Sequence, residues 1–178
     1  MNAAHTIWIY PLALTLLAAW SDWRSRRIPN WLTVPAIVLG IGVNTLAAGW
    51  PGAKASLEGA GLALIILLPF VLKRGLGAGD WKLMAAVGAF LGPLFFLVAL
   101  LVSVLVSGLM AMVELARKRQ LMTSFRNMVV LIRGFFSFGF RAHPGISLDN
   151  PKLMKLPFGV AAAIATVICY CASRWGVL

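Results

Sequence analysis

Five acidic residues serve the whole chain: Asp22, Glu58, Asp80, Glu114 and Asp149. Two of them stand where acid–base chemistry is possible. Asp80 closes the run Gly75-Leu76-Gly77-Ala78-Gly79-Asp80, ahead of the apolar Trp81-Lys82-Leu83-Met84. Asp22 follows an apolar run, in Ser21-Asp22-Trp23-Arg24-Ser25-Arg26-Arg27-Ile28-Pro29-Asn30. Two nearby carboxylates in a low-dielectric site do not both ionise readily, and they tend to share a proton. One then activates a water while the other protonates a carbonyl oxygen or a leaving amine. This is aspartic-protease chemistry, and it needs no metal, no cofactor and no nucleophilic Ser or Cys. Alternate glycines before Asp80 carry no side-chain bulk and have access to positive φ, so another helix or chain can come close. Asp80 is placed to cap the helix that follows. The macrodipole favours a charge there and disfavours one at Asp22, after a helix C-terminus. The expectation is an ionised Asp80 and a protonated Asp22.

Other uses of these residues fit less well. Gly-x-Gly-x-Gly is similar to a nucleotide loop, but no strand pattern precedes it and no Gly-Lys-Ser/Thr follows. A Mg²⁺ or Ca²⁺ site wants several oxygen ligands, and here the acids are few and the surroundings basic. A proton or ion pathway wants polar groups at mid-membrane, and the apolar runs offer few. Glu58 and Glu114 fall near helix ends, as topological charges or partners of nearby basic residues. Lys82 has two readings, a partner of the aspartates or a lysine snorkelling to the membrane interface.

The elements that must position the aspartates are apolar helices. Hydrophobic residues make up 61% of the 178 and charged residues 12%, and mean hydropathy is +0.89, far outside soluble usage. The reading is one all-α polytopic membrane domain, 1–178. The net charge of +11 does not point to nucleic acid, because the basic residues fall in loops between apolar runs and act as topology signals. Thr6–Trp20 is the first run, with Arg24, Arg26 and Arg27 after it. Trp31–Trp50 is the second, closed by a Pro51-Gly52 turn. Leu57–Leu72 is the third, followed by Lys73 and Arg74.

Trp81–Leu115 is too long for one span: about 50 Å at 1.5 Å per residue, against a core of about 30 Å. The best break is Gly92-Pro93, with Ser107-Gly108 as the alternative. Thr123–Arg141 mixes apolar residues with Arg126, Arg133 and Arg141 and reads as an amphipathic helix on the cytoplasmic surface. Phe158–Ser173 is the last run. Cys169 and Cys171 lie in it two residues apart, on different faces of a helix. About six spans with both ends outside leave only Lys54 and Arg174 of the 16 basic residues outside. Both aspartates then lie at cytoplasmic helix ends.

Taken together, three stretches resemble the type IV prepilin peptidases, membrane aspartic proteases of the Gly-x-Gly-Asp class. They are Asp22 with Ile28-Pro29-Asn30, then Gly77-Ala78-Gly79-Asp80-x-Lys82-Leu83, then Lys155-Leu156-Pro157-Phe158-Gly159. The resemblance implies Asp22 and Asp80 as the catalytic pair. Gly77, Gly79, Lys82, Ile28, Pro29 and Asn30 become motif residues along the substrate's approach. It implies an inner-membrane enzyme that trims the short basic leader of prepilins and pseudopilins on the cytoplasmic side, usually after a glycine. The glycines beside Asp80 suit the approach of a scissile backbone. Longer members carry a cytoplasmic segment with paired Cys-x-x-Cys motifs tied to N-methylation. The interval from Arg24 to Trp31 cannot hold one, so the expectation is a peptidase-only form like those of tight-adherence (Flp-type) pilus systems. Anionic lipid would bind much of the basic face. The alternatives are a Gly-x-Gly-Asp protease acting on other membrane proteins, and a transporter or assembly factor without catalysis.

Overall fold

The computed structural model describes residues 3–73, 75–118 and 157–175. The surface helix expected at Thr123–Arg141, the loop with Asp149, and Lys155-Leu156 lie outside the described residues. Every described element is a helix: α1 (Ala3–Ser25), α2 (Asn30–Leu72), α3 (Ala78–Arg117) and α4 (Phe158–Arg174).

α1 runs past the first apolar stretch, so Asp22 falls within its last turn rather than after it. The helix stops at Arg26, which takes φ 50° and turns its N–H back to the Asp22 carbonyl at 2.8 Å. Pro29 (φ −73°, ψ 142°) then starts α2, where its missing N–H costs no intrahelical bond.

α2 has 43 residues and α3 has 40, too long to be single straight spans at 1.5 Å per residue. Each is broken once, at a glycine with positive φ: Gly49 (φ 64°, ψ −145°) and Gly92 (φ 73°, ψ 178°). α2 folds back on itself at its break. Ser56 Oγ donates to the Gly40 carbonyl at 3.4 Å, although sixteen residues of straight helix span about 24 Å. The turn pivots on Gly49 rather than on Pro51-Gly52. Only glycine takes that backbone conformation easily, and Pro51 sits early in the second limb, where proline is tolerated. The α3 break falls at Gly92-Pro93 as expected. Pro93 has no N–H for the Ala89 carbonyl. Asn44 Nδ2 takes that place, 3.0 Å from the carbonyls of both Ala89 and Phe90 and 2.8 Å from Ser56 Oγ. One amide therefore fastens both limbs of α2 to the broken end of α3.

Residues 83–90 of α3 are buried on every face, the mark of a central helix. α2 lies against one side, closest where Gly59 meets Gly88: a Cβ on either glycine would run into the other's carbonyl oxygen. α4 lies on the other side through buried Ala161, Ala162, Ala163 and Ala165. Trp8 of α1 packs on Phe95 and Tyr170, 5.7 and 5.9 Å between ring centroids, and so joins α1, α3 and α4. Cys169 is buried and Cys171 exposed, on separate faces.

α2 and α3 are long and apolar enough to cross a membrane. Large apolar side chains cover the outside, among them Leu46, Ile65, Leu94 and Leu105, as a lipid-facing surface requires. Glu58 pairs with Lys54 at 3.8 Å and Glu114 with Lys118 at 3.3 Å, the expected use of both acids.

Candidate active site

The end of one helix and the starts of three others meet at one end of the bundle. Asp22 arrives on the last turn of α1, Asn30 on the first turn of α2, Asp80 on the first turn of α3, and Gly159 on the first turn of α4. The breaks at Gly49 and Gly92 lie at the opposite end, around a cavity lined by Asn44, Pro51, Gly52 and Phe90.

Asp22 is almost wholly buried, at 6% exposure. Its Oδ2 accepts the Gly159 backbone N–H at 2.8 Å. Burial works against its negative charge, whereas the Gly159 N–H and the Arg26 guanidinium favour it. α4 begins at Pro157, which offers no side-chain cap. Asp22 supplies the missing acceptor from another helix, at the positive end of the α4 dipole. The disfavour expected from the C-terminus of α1 is thereby opposed by the N-terminus of α4. The dipole argument for a proton on Asp22 is offset, while burial still works against its charge.

Asp80 is not the N-cap of α3. The cap is Gly77 (φ −68°, ψ 141°), and Asp80, three residues on, accepts the Gly77 backbone N–H. This is the acid's half of a capping box. A glycine suits this cap position, since a Cβ there would come 2.8 Å from Asp80 Oδ2. Gly79 makes room for another part of the site, since its Cβ would lie 3.0 Å from the Ile28 carbonyl oxygen and 3.1 Å from Ile28 Cβ. Among the described glycines only Gly49 and Gly92 have positive φ, so Gly77 and Gly79 serve close approach and not a left-handed turn.

The motif stretches therefore touch in pairs. Ile28 sits on Gly79, Lys82 Nζ donates to Asn30 Oδ1 at 3.0 Å, and Gly159 donates to Asp22. Lys82 thus reaches Asn30, and neither expected reading of it anticipated that partner. The carboxylates of Asp22 and Asp80 are near enough for the charge of one to act on the other. That repulsion and burial both oppose a second negative charge. Residues not singled out from sequence also shape the site. Ser21 donates to the Arg27 carbonyl at 2.9 Å and pins the turn that carries Ile28, while Ser25, 3.3 Å from the same oxygen, donates over the shorter 2.7 Å to the Ser21 carbonyl. Their spacing on one helix face was the available signal, but its target lies beyond the helix. Among the described residues, no three His, Cys, Asp or Glu side chains gather as a metal site would need.

Residues 9–112, more than half of the chain, match the model of the type IV leader peptidase family. The chain belongs to that family. Asp22, Asp80 and the residues between them lie inside the matched segment, whereas α4 with Gly159 lies outside it. A prepilin leader peptidase/N-methyltransferase of Xanthomonas campestris pv. campestris is 33% identical over 104 residues, 54% of this chain and 36% of that protein. The chain thus aligns with about a third of that relative's length. No solved structure matches the chain.

Proposed function

We propose that this leader peptidase family member is an aspartic endopeptidase of the cytoplasmic membrane that removes the leader from type IV prepilins. The observation that carries the reading is the meeting of Asp22 and Asp80 at one end of the bundle, each held by a backbone N–H of another residue.

In this reading the pair holds one proton between its two carboxyl groups. The ionised one takes a proton from a water as the water oxygen bonds to the scissile carbonyl carbon. The protonated one gives its proton to the carbonyl oxygen. The tetrahedral intermediate then collapses: the C–N bond breaks, the amine leaves with a proton, and the carboxyl product forms. The pair returns to its starting state, and one water has been consumed.

The four helices and their two breaks supply six apolar segments. We read them as six spans, with the aspartates on the cytoplasmic side. Such a frame suits a substrate whose leader is basic and whose following segment is apolar. The Flp-type prepilins are the favoured substrates, because the turn from Arg26 to Pro29 leaves no room there for a Cys-x-x-Cys segment. The same ground favours trimming without N-methylation.

The test is cleavage of a Flp-type prepilin in membranes, read by gel shift and N-terminal sequencing. Wild type is run beside Asp22→Asn and Asp80→Asn at matched expression. Trimming after glycine by wild type alone is expected. Trimming that persists in either variant would remove that aspartate from the mechanism. An ion-dependent flux without trimming would favour a transporter.

A further inference from the structure

The turn between α1 and α2 is fastened to its surroundings at three places. Ser21 holds the Arg27 carbonyl to α1 at 2.9 Å. Ile28, 8% exposed, lies against Gly79 of α3 at the contact distance of a missing Cβ. Asn30 Oδ1 then accepts from Lys82 Nζ at 3.0 Å, across 52 residues of sequence. The first fastening joins the turn to the helix of Asp22, and the other two join it to the helix of Asp80.

The Ile28 contact is apolar and non-directional. It keeps the turn against α3 but does not fix a register. The Lys82–Asn30 bond is directional, and a hydrogen bond to an ammonium is stronger than a neutral one.

Resting on the peptidase reading, we propose that Lys82 and Asn30 are positioning residues. Their hydrogen bond ties the α1–α2 turn to the first turn of α3 and so sets the spacing of Asp22 and Asp80. A misplacement of about 1 Å in a reacting constellation lowers turnover by as much as about a hundredfold. The site tolerates such an error poorly because neither aspartate belongs to the helix of the other.

The experiment compares wild type, Lys82→Met, Lys82→Arg, Asn30→Ala and the double variant Asn30→Ala/Lys82→Met, in detergent and in membranes. Two quantities are read: steady-state cleavage of a prepilin, and amide hydrogen exchange across residues 26–30. Each single variant except Lys82→Arg should lose about tenfold to a hundredfold in kcat with KM nearly unchanged. The double variant should be no worse than the poorer single one. Lys82→Arg should recover most of the loss. Exchange at residues 26–30 should rise in the same variants while the melting temperature stays within a few degrees.

Losses that multiply in the double variant, an effect confined to KM, or unchanged exchange would overturn the proposal. Wild type that trims no prepilin while exchange responds as stated would overturn the peptidase reading and leave the tether standing.

Discussion

The backbone N–H of Gly159 donates to Oδ2 of Asp22 at 2.8 Å, and 137 residues separate the two. An acid from the last turn of α1 thereby completes the first turn of α4. The contact is close: a Cβ on Gly159 would lie 3.1 Å from both Cβ and Oδ2 of Asp22 and 3.3 Å from the Ala18 carbonyl oxygen. Gly159→Ala should push the Asp22 carboxyl aside by a few tenths of an ångström. Leader cleavage should then fall by about tenfold or more while the protein still accumulates in the membrane. Gly159→Val should abolish cleavage. Wild-type rates in Gly159→Val would separate this contact from function.

Asp22→Asn and Asp80→Asn should each remove cleavage yet leave the fold intact. An Asn at 22 still offers an oxygen to the Gly159 N–H. The exchange also removes the repulsion between two poorly solvated carboxylates. Each variant should melt at the same temperature as wild type or higher, because a buried charge is costly to keep. Thermal unfolding in detergent, with cleavage assayed on the same preparation, checks both halves. A large loss of stability would show that the aspartates hold the bundle together.

The pair needs one proton, so cleavage should fail on both sides of an optimum. At low pH both carboxyls are protonated and no base remains. At high pH both are ionised and no acid remains. Arg26 favours the charged form of Asp22, so without that charge ionisation needs a higher pH. Arg26→Gln should move the acidic limb of the kcat/KM profile upward while keeping a side chain at the same backbone conformation. A limb that moves down or stays put would remove Arg26 from the electrostatics of the site.

The crossing of α2 on α3 makes a separate prediction about stability. A Cβ on Gly59 runs into the Gly88 carbonyl oxygen, whereas a Cβ on Gly61 meets nothing within 4 Å. Gly59→Ala should force the helices apart and destabilise by about 3 kcal/mol or more, as overpacking a tight core does. Gly61→Ala should be neutral or stabilising by up to about 1 kcal/mol, from helix propensity alone. Melting temperatures of the two variants decide the matter. Equal effects would mean that the close crossing is absent in solution.

Much of this arrangement is legible in the sequence. Apolar runs longer than a bilayer is thick have to break, and the break at Gly92-Pro93 follows from the one residue that frees φ beside the one that lacks an N–H. Glu58 and Glu114 find lysines one helical turn away, which is local information. Asp22 and Asp80 stand out because a charge beside an apolar run needs a reason, and their surrounding residues carry the family's pattern.

What the tertiary structure decided is which groups face one another. The sequence ties Asp22 to the C-terminal dipole of α1, but the electrostatic environment of a side chain is set by everything within a few ångströms. At Asp22 that includes the start of α4. The glycines before Asp80 read as open backbone, yet Gly77 makes room for Asp80's own carboxylate and Gly79 for Ile28. Lys82 finds Asn30, and Asn44 finds the carbonyls released by Pro93, across distances along the chain that no local pattern encodes. Periodicity and hydropathy fix which segments become helices because those preferences act between near neighbours. The pairing of helix ends comes from packing, where a missing Cβ or one directed amide selects a single register among many of similar hydrophobic burial.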